Sequence, residues 1–275
     1  MRITGIEFFT PPLVEGPAIS FFVPLPEFLH QMPFAMQIAD GKYGLPVSIT
    51  VISTWFVLLL LAVLFKLGTK KLEVVPTSRW QALVEELYGF LHGIISQMLG
   101  SWWKKYFSFI STLFFFILTS NLLLFIPIPW GSMNNGILTI SPAFRTPTAD
   151  LNTTVGLAML TTIVFLGTSI KLNGLLGYFK GLFEPLPIMF PINVVGELAK
   201  PTNISIRLFG NMFAGSVIMG LIYKAAPAVI PAPLHLYFDI FSGVVQSFVF
   251  IMLTMVYIQG SLGDSQYPDE EKLKI

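Results

Sequence analysis

The sequence predicts an all-α integral membrane protein, with about five membrane helices and one amphipathic helix lying in the interface. Three observations carry that prediction. Of the 275 residues, 54% are hydrophobic and only 11% are charged, and the mean hydropathy is +0.74. A soluble domain carries about 25% charge, so a water-facing surface cannot be covered with so few charges. Several apolar stretches reach the roughly 20 residues that a spanning helix needs, and basic residues gather in alternate loops. The same numbers exclude other classes. Disorder needs low hydrophobicity and high net charge. The net charge of +1 offers no basic excess for nucleic acid. The absence of cysteine removes disulfides, thiolate catalysis and Cys-ligated metals. His30, His92 and His235 lie too far apart in sequence to suggest a metal cluster, so no metal site is expected.

Residues 1–42 read as an N-terminal arm on the outer side. Glu7, Pro11, Pro12, Glu15, Pro17, Pro24 and Pro26 interrupt every apolar run, which excludes a cleavable signal and suggests an extended or interfacial segment. Residues 43–275 read as a single membrane domain. Its spans are predicted near 46–66, 106–126, 151–170, 189–223 and 234–260. The stretch near 78–100 differs. Trp80, Leu83, Val84, Leu87, Phe90, Leu91, Ile94 and Ile95 recur at helical spacing, while Glu85, Glu86, His92 and Gln97 break the apolar pattern. That is the pattern of an interfacial amphipathic helix. Trp102 and Trp103, before Lys104 and Lys105, form a membrane-edge anchor.

Lys66, Lys70, Lys71, Arg79, Lys104 and Lys105 all fall between the first and second spans, which makes that loop cytoplasmic. The N-terminus is then outside and the tail with Lys272 and Lys274 inside.

Charge inside a span is the informative signal, because a central arginine costs about 2.5–3.5 kcal/mol on insertion scales. The fourth span holds Asn193, Glu197, Lys200, Asn203, Arg207 and Asn211, separated by steps of three or four. At 3.6 residues per turn they form one stripe. Glu197 and Lys200 are near enough to the cytoplasmic end to snorkel, whereas Arg207 sits mid-helix. The last span carries a second stripe: His235, Asp239, Ser242 and Gln246. The two helices run antiparallel, so Gln246 and Arg207 are expected to meet near the middle. Gly210, Ala214, Gly215 and Gly220 would allow close approach of a helix or rotor. Pro201 removes one backbone hydrogen bond and should distort the long helix.

A fixed positive charge in a low-dielectric site lowers the pKa of a nearby carboxylate and favours release of its proton or alkali cation. It also blocks a continuous cation path. These are the requirements of a stator that loads and unloads a moving carboxylate, with access from outside toward Asp239 and from the cytoplasm toward Asn193 and Glu197. No partner carboxylate is evident within the chain, so another subunit must supply it.

The run SIRLFGNMFAG, Ser205 to Gly215, resembles the signature of subunit a, the membrane stator of F-type ATP synthases. PTADLNTT, Pro147 to Thr154, resembles a second segment of that family, and FSGVVQSFVFIMLTMVYI its last helix. The resemblance covers roughly residues 78–260. It implies that Arg207 is the essential ion-gating charge facing the rotor ring of c subunits, and that Gln246 is its polar partner. Asn211 and Asp239 fall on outer half-channel positions and Asn193 on an inner one. His235, Ser216, Glu197, Lys200 and Asn203 complete the expected ion pathway. The last two helices would be steeply tilted along the ring.

The implied partners are the c-ring, peripheral-stalk b subunits and the rest of the complex, in a bacterial cytoplasmic membrane; no cofactor is implied. Many proton-driven members carry His where this chain has Asp239, and an acid where it has Ser216. Together with Lys200, Val244 and Ile258, these departures resemble sodium-translocating members, so the carried ion is H+ or Na+ with a lean toward Na+. The chain lacks a Walker loop, so it reads as a non-catalytic subunit. A stand-alone secondary cation transporter is the alternative; the inverted repeats it would be expected to show are not visible. An anchoring subunit without an ion path would leave Arg207 unexplained.

Overall fold

The structure is a computed structural model and describes residues 2–3, 6–8, 19–24, 36–37, 43–70, 78–123, 129–134, 137–142, 146–183, 186–225, 233–234 and 236–262. Among the described residues, five helical stretches are long and apolar enough to cross a membrane. The chain is an all-α, multi-pass membrane protein in its spanning part. Short strands are confined to the N-terminal arm and to the loop after the second span.

Among the described residues, seven strands form two small sheets. They are β1 (Arg2–Ile3), β2 (Ile6–Phe8), β3 (Ile19–Pro24), β4 (Met36–Gln37), β5 (Tyr43–Ser48), β6 (Pro129–Asn134) and β7 (Ile137–Pro142). One sheet runs β1-β2-β7-β6 and the other β3-β5-β4. β2 pairs in parallel with β7, Ile6 opposite Leu138, which ties the arm to the loop between the second and third spans. The sequence predicts an extended arm but carries no signal for that long-range pairing.

The first span is α1 (Ile49–Gly68), which follows β5 directly. Only Thr50, Ser53 and Val57 are buried, so one narrow stripe meets the bundle and the rest faces outward. The helix closes where the Thr69 hydroxyl donates to the Phe65 carbonyl at 2.7 Å. The amphipathic helix α2 (Arg79–Leu99) begins at Ser78, whose Oγ accepts from the Trp80 amide at 3.3 Å. It buries Gln81, Leu91, Ile95 and Leu99 and leaves Trp80, Leu83 and Phe90 exposed. Gly100, at φ 55°, ends it in the left-handed region that favours glycine. A single 3-10 turn, Gly100–Trp102, leads into α3 (Trp103–Leu122), the second span.

The third span, α4 (Leu151–Leu182), runs well past the predicted end near residue 170. Its extension is broken at Gly174, where φ 70° and ψ 165° are accessible only to glycine. A hydrocarbon-length rule sees the first part and not the second, which continues beyond Lys171. α5 (Phe190–Ala225) passes through Pro201 without ending. A π-helical turn, Leu236–Phe241, precedes α6 (Ser242–Leu262). α6 packs against α2, α3, α4 and α5 and supplies Phe250, Ile251, Met255 and Ile258 to the core. Ile110 and Ile117 of α3, Phe165 of α4, and Ile204 and Leu208 of α5 complete it.

Uncharged hydrogen bonds and one carboxylate lock the helices where α4 begins. The Thr148 hydroxyl donates to Asn121 Oδ1 at 2.7 Å. Asn121 Nδ2 donates to the Gly243 carbonyl at 3.1 Å and to Ser247 Oγ at 3.3 Å. Asp150 accepts from the Thr50 hydroxyl at 2.9 Å and caps α4 by accepting from the Asn152 amide at 3.0 Å. Thr154 Oγ1 lies 3.4 Å from Ser205 Oγ of α5. Segment 147–154 thus touches α1, α3 and α5 directly, and α6 through Asn121. Helices α3 and α6 approach closely at Gly243, where an added Cβ would sit 3.0 Å from Asn121 Cβ and push that side chain aside by a few tenths of an ångström. Each such bond contributes about 1 kcal/mol net, but an orphaned partner costs about 1–3 kcal/mol.

Candidate functional site

The polar stripe of α5 follows a straight line on the helix, yet its surroundings change along it. Asn193, Glu197 and Lys200 are partly covered by α4. Asn203 and Arg207 are exposed, and Asn211 is half-buried against α6. The cause is geometric: α4 and α6 both pack on α5, and their cover changes along one line of residues.

Near the start of the stripe, Asn193 Nδ2 donates to the Leu182 carbonyl at 2.8 Å, holding the end of α4 against α5. Glu197 and Lys200 form an ion pair one turn apart, each about a quarter to a third exposed. Lys200 Nζ also lies 5.3 Å from the Phe165 ring centroid and 5.9 Å from that of Tyr257. Desolvation strengthens such cation–π contacts. Asn193, Glu197 and Lys200 line a cleft of about 570 Å³ between α4 and α5, with Ser169, Asn173 and Tyr178 opposite. The opening runs along α5 from Ile192 to Lys200, with mixed polar and apolar walls.

Arg207 lies on the opposite kind of surface. Its neighbours Ile204, Ser205 and Leu208 are buried at 1%, 4% and 0%, whereas Ile206 is 60% exposed. Arg207 is itself exposed. No hydrogen bond or ion pair joins it to another described side chain. Among the described side chains of α5 it is therefore the charge without a partner. A guanidinium held on the outer face of an apolar helix needs water or another protein to cover it.

Two hydrogen bonds fix α6 beside this face. Asn203 Nδ2 donates to the Tyr257 hydroxyl at 3.4 Å, and Asn211 Nδ2 to Ser242 Oγ at 2.6 Å. These contacts bracket Arg207 on α5 and Gln246 on α6. The predicted antiparallel arrangement is thus present. No bond between Gln246 and Arg207 forms among the described residues: Gln246 is 7% exposed and turned into the bundle. Ser216 is exposed and donates to the Phe213 carbonyl at 2.8 Å, so its hydroxyl is engaged with its own helix. Gly210 has open space where a Cβ would sit, whereas Gly215 faces Phe238 at 3.6 Å. His235 and the Asp239 side chain lie outside the described residues.

Two features were missed in the sequence. Tyr257 joins Lys200 and Asn203, and its place three turns beyond Gln246 was a usable signal. The polar lock at Asn121, Thr148 and Asp150 carries no such signal, because Thr, Asn and Asp are common at helix ends for local capping.

A bundle of membrane helices with a polar cleft on one side and a bare arginine on an adjoining face defines an ion-handling membrane subunit. The comparisons place it more closely. Residues 51–259 match the family described as ATP synthase A chain. The chain is 66% identical over 265 residues to "ATP synthase subunit a, sodium ion specific" of Propionigenium modestum, covering 96% of this chain and 91% of that protein. It is 35% identical over 214 residues to ATP synthase subunit a of Moorella thermoacetica, covering 78% of this chain and 90% of the relative. A further 35% identity, over 215 residues, relates it to ATP synthase subunit a 1 of Chlorobaculum tepidum. The chain belongs to the a subunits of F-type ATP synthases.

Proposed function

We propose that this chain is the ion-conducting stator of its synthase, presenting Arg207 to the carboxylates of a rotating c-subunit ring while peripheral-stalk b subunits hold it in place. The observation that carries this reading is the exposure of Arg207 on a face where Ile206 and Phe213 are also uncovered. That charge has no counterion among the described residues, which supports a counterion on a neighbouring subunit.

The proposed path has two offset halves. The inner half is the cleft at Asn193, Glu197 and Lys200, with Asn203 on the next turn of α5 toward Arg207. Lys200 compensates Glu197, so the pair leaves no net negative charge to trap a passing cation. The outer half runs past Asn211 and Ser216, with His235, Asp239 and Gln246 on the facing helix. Arg207 separates the halves. Its charge favours the ionised form of an approaching carboxylate and so releases the ion carried there. Each monovalent ion crossing the membrane gains about 2.3 kcal/mol per 100 mV, which drives the ring. The N-terminal arm of residues 1–42 lies outside and the C-terminus inside, in a bacterial cytoplasmic membrane. We assign Na+ as the ion, because the relative at 66% identity is named sodium ion specific and because Asp239 and Ser216 replace the titratable pair of many proton-driven members.

The test is coupled synthesis by the reconstituted complex. Arg207→Ala should abolish it while the subunit still assembles. Arg207→Lys should also fail, because a desolvated lysine can lose its proton and lacks the planar fork. Normal Na+-driven synthesis by the lysine variant would overturn the role.

A further inference from the structure

A second cavity, separate from the α4–α5 cleft, lies between the start of α3 and the middle of α4. It measures about 250 Å³ and is lined by Trp102, Lys105 and Tyr106 on one side and by Ile163, Thr168 and Lys171 on the other. Its wall is mostly apolar. Ile163 is 71% exposed, so the cavity opens on the outer surface of the bundle and not into its core. Two lysines stand at the same opening. Lys105 Nζ is held 5.2 Å from the ring centroid of Trp102, which is itself buried at 1%. No carboxylate among the described residues pairs with Lys105 or Lys171. Deeper in the wall, the Tyr106 and Thr168 hydroxyls bond each other at 2.7 Å, and Thr168 also donates to the Val164 carbonyl at 2.7 Å.

We propose that this cavity binds an anionic phospholipid, its phosphate between Lys105 and Lys171 and an acyl chain along Ile163 and Val164. Two ammonium groups facing one opening repel each other unless an anion lies between them, and basic residues at the membrane surface attract acidic lipids. Trp102 and Trp103 mark that level as the headgroup region. A free phosphate would satisfy the lysines but would leave the apolar wall uncovered; a lipid covers both. The site takes no part in the ion path, since none of its residues lines the α4–α5 cleft.

A photoreactive residue at position 163 in the intact complex tests this. The complex is reconstituted in vesicles of phosphatidylcholine with a minor fraction of phosphatidylglycerol, and the lipid adducts on the subunit are identified by mass spectrometry. The ratio of phosphatidylglycerol to phosphatidylcholine adducts should exceed the bulk ratio by about twenty-five-fold, roughly fivefold for each lysine. Lys105→Gln with Lys171→Gln should return the adducts to bulk composition. Lys105→Arg with Lys171→Arg should keep the enrichment. Millimolar inorganic phosphate should leave it unchanged. Adducts at bulk composition in the unaltered protein, adducts to another subunit in place of lipid, or loss of enrichment on adding phosphate would each overturn the proposal.

Discussion

Asn121 and Arg207 are both polar residues in apolar helices, and the molecule treats them oppositely. Asn121 is 1% exposed and uses both ends of its amide, accepting from Thr148 and donating to Gly243 and Ser247. Arg207 is exposed and pairs with no described side chain. The first arrangement is what a bundle in lipid needs for cohesion, where polar side chains hydrogen-bond between helices. The second holds no other described residue in place. Polarity alone therefore does not mark a functional residue in a membrane helix; whether its partner lies within the same chain does. The Glu197–Lys200 pair stands between these extremes, paired but half-open to a cleft.

Four tests sharpen that contrast, starting with the largest effect. Arg207→Gln should reduce Na+-driven synthesis to background while leaving the amount of assembled subunit unchanged, measured on purified complex. A loss of assembly would move Arg207 to the cohesive class. Asn121→Ala should do the reverse. It orphans the Thr148 hydroxyl, a cost of about 1–3 kcal/mol, while the Gly243 carbonyl keeps the Ser247 hydroxyl. The thermal release of the subunit from the complex should shift to lower temperature, with the coupling ratio of surviving complexes unaltered. An uncoupled but stable Asn121→Ala complex would erase the distinction.

The third test concerns the intermediate region. The chain contains no cysteine, so single cysteines report without background. Cysteines at Asn193 and Glu197 should react with thiol reagents added from the cytoplasmic side, and cysteines at Val194 and Leu198 should react several times more slowly. Leu198 is exposed, but to apolar surroundings that hold no thiolate. Equal rates at all four positions would remove the aqueous cleft. The smallest effect is expected for Asp239→Asn. Losing one anion from a partly hydrated entrance should raise the external Na+ needed for half-maximal synthesis about fivefold, the factor that about 1 kcal/mol represents. An unchanged requirement would route the outer path elsewhere.

The legible and illegible parts of the molecule divide along the same line. The spans, the amphipathic helix and the α5 stripe follow from periodicity, which one helix alone determines. Trp80, Leu91 and Ile95 announce α2 without reference to anything else. The RLFGN run, Arg207 to Asn211, makes the site visible because an intramembrane arginine is costly. What pairs across the chain was hidden. Thr50 reaches Asp150 one hundred positions away, and Ile6 pairs with Leu138. Such residues look like ordinary capping or arm residues until their partners are placed. The end of α4 was hidden for another reason: Gly174 permits a sharp break, and the sequence shows a glycine without showing its φ. No hydrogen bond joins Gln246 to Arg207 among the described residues, and antiparallel register, which fixes height along the bundle, does not fix the direction in which each side chain turns.

The claim that the bare face of α5 is the rotor-facing surface is open to one direct measurement. Ile206 is 60% exposed beside Arg207, and Ile204, two residues away, is 1% exposed. Each is replaced singly by cysteine in the intact synthase, together with one cysteine placed next to the ion-binding carboxylate of the c subunit. Mild oxidation should join Ile206→Cys to the c subunit in good yield and stop rotation, with restoration on reduction, while Ile204→Cys should give no such product. Cross-linking through Ile204→Cys, or none through Ile206→Cys, would contradict the account.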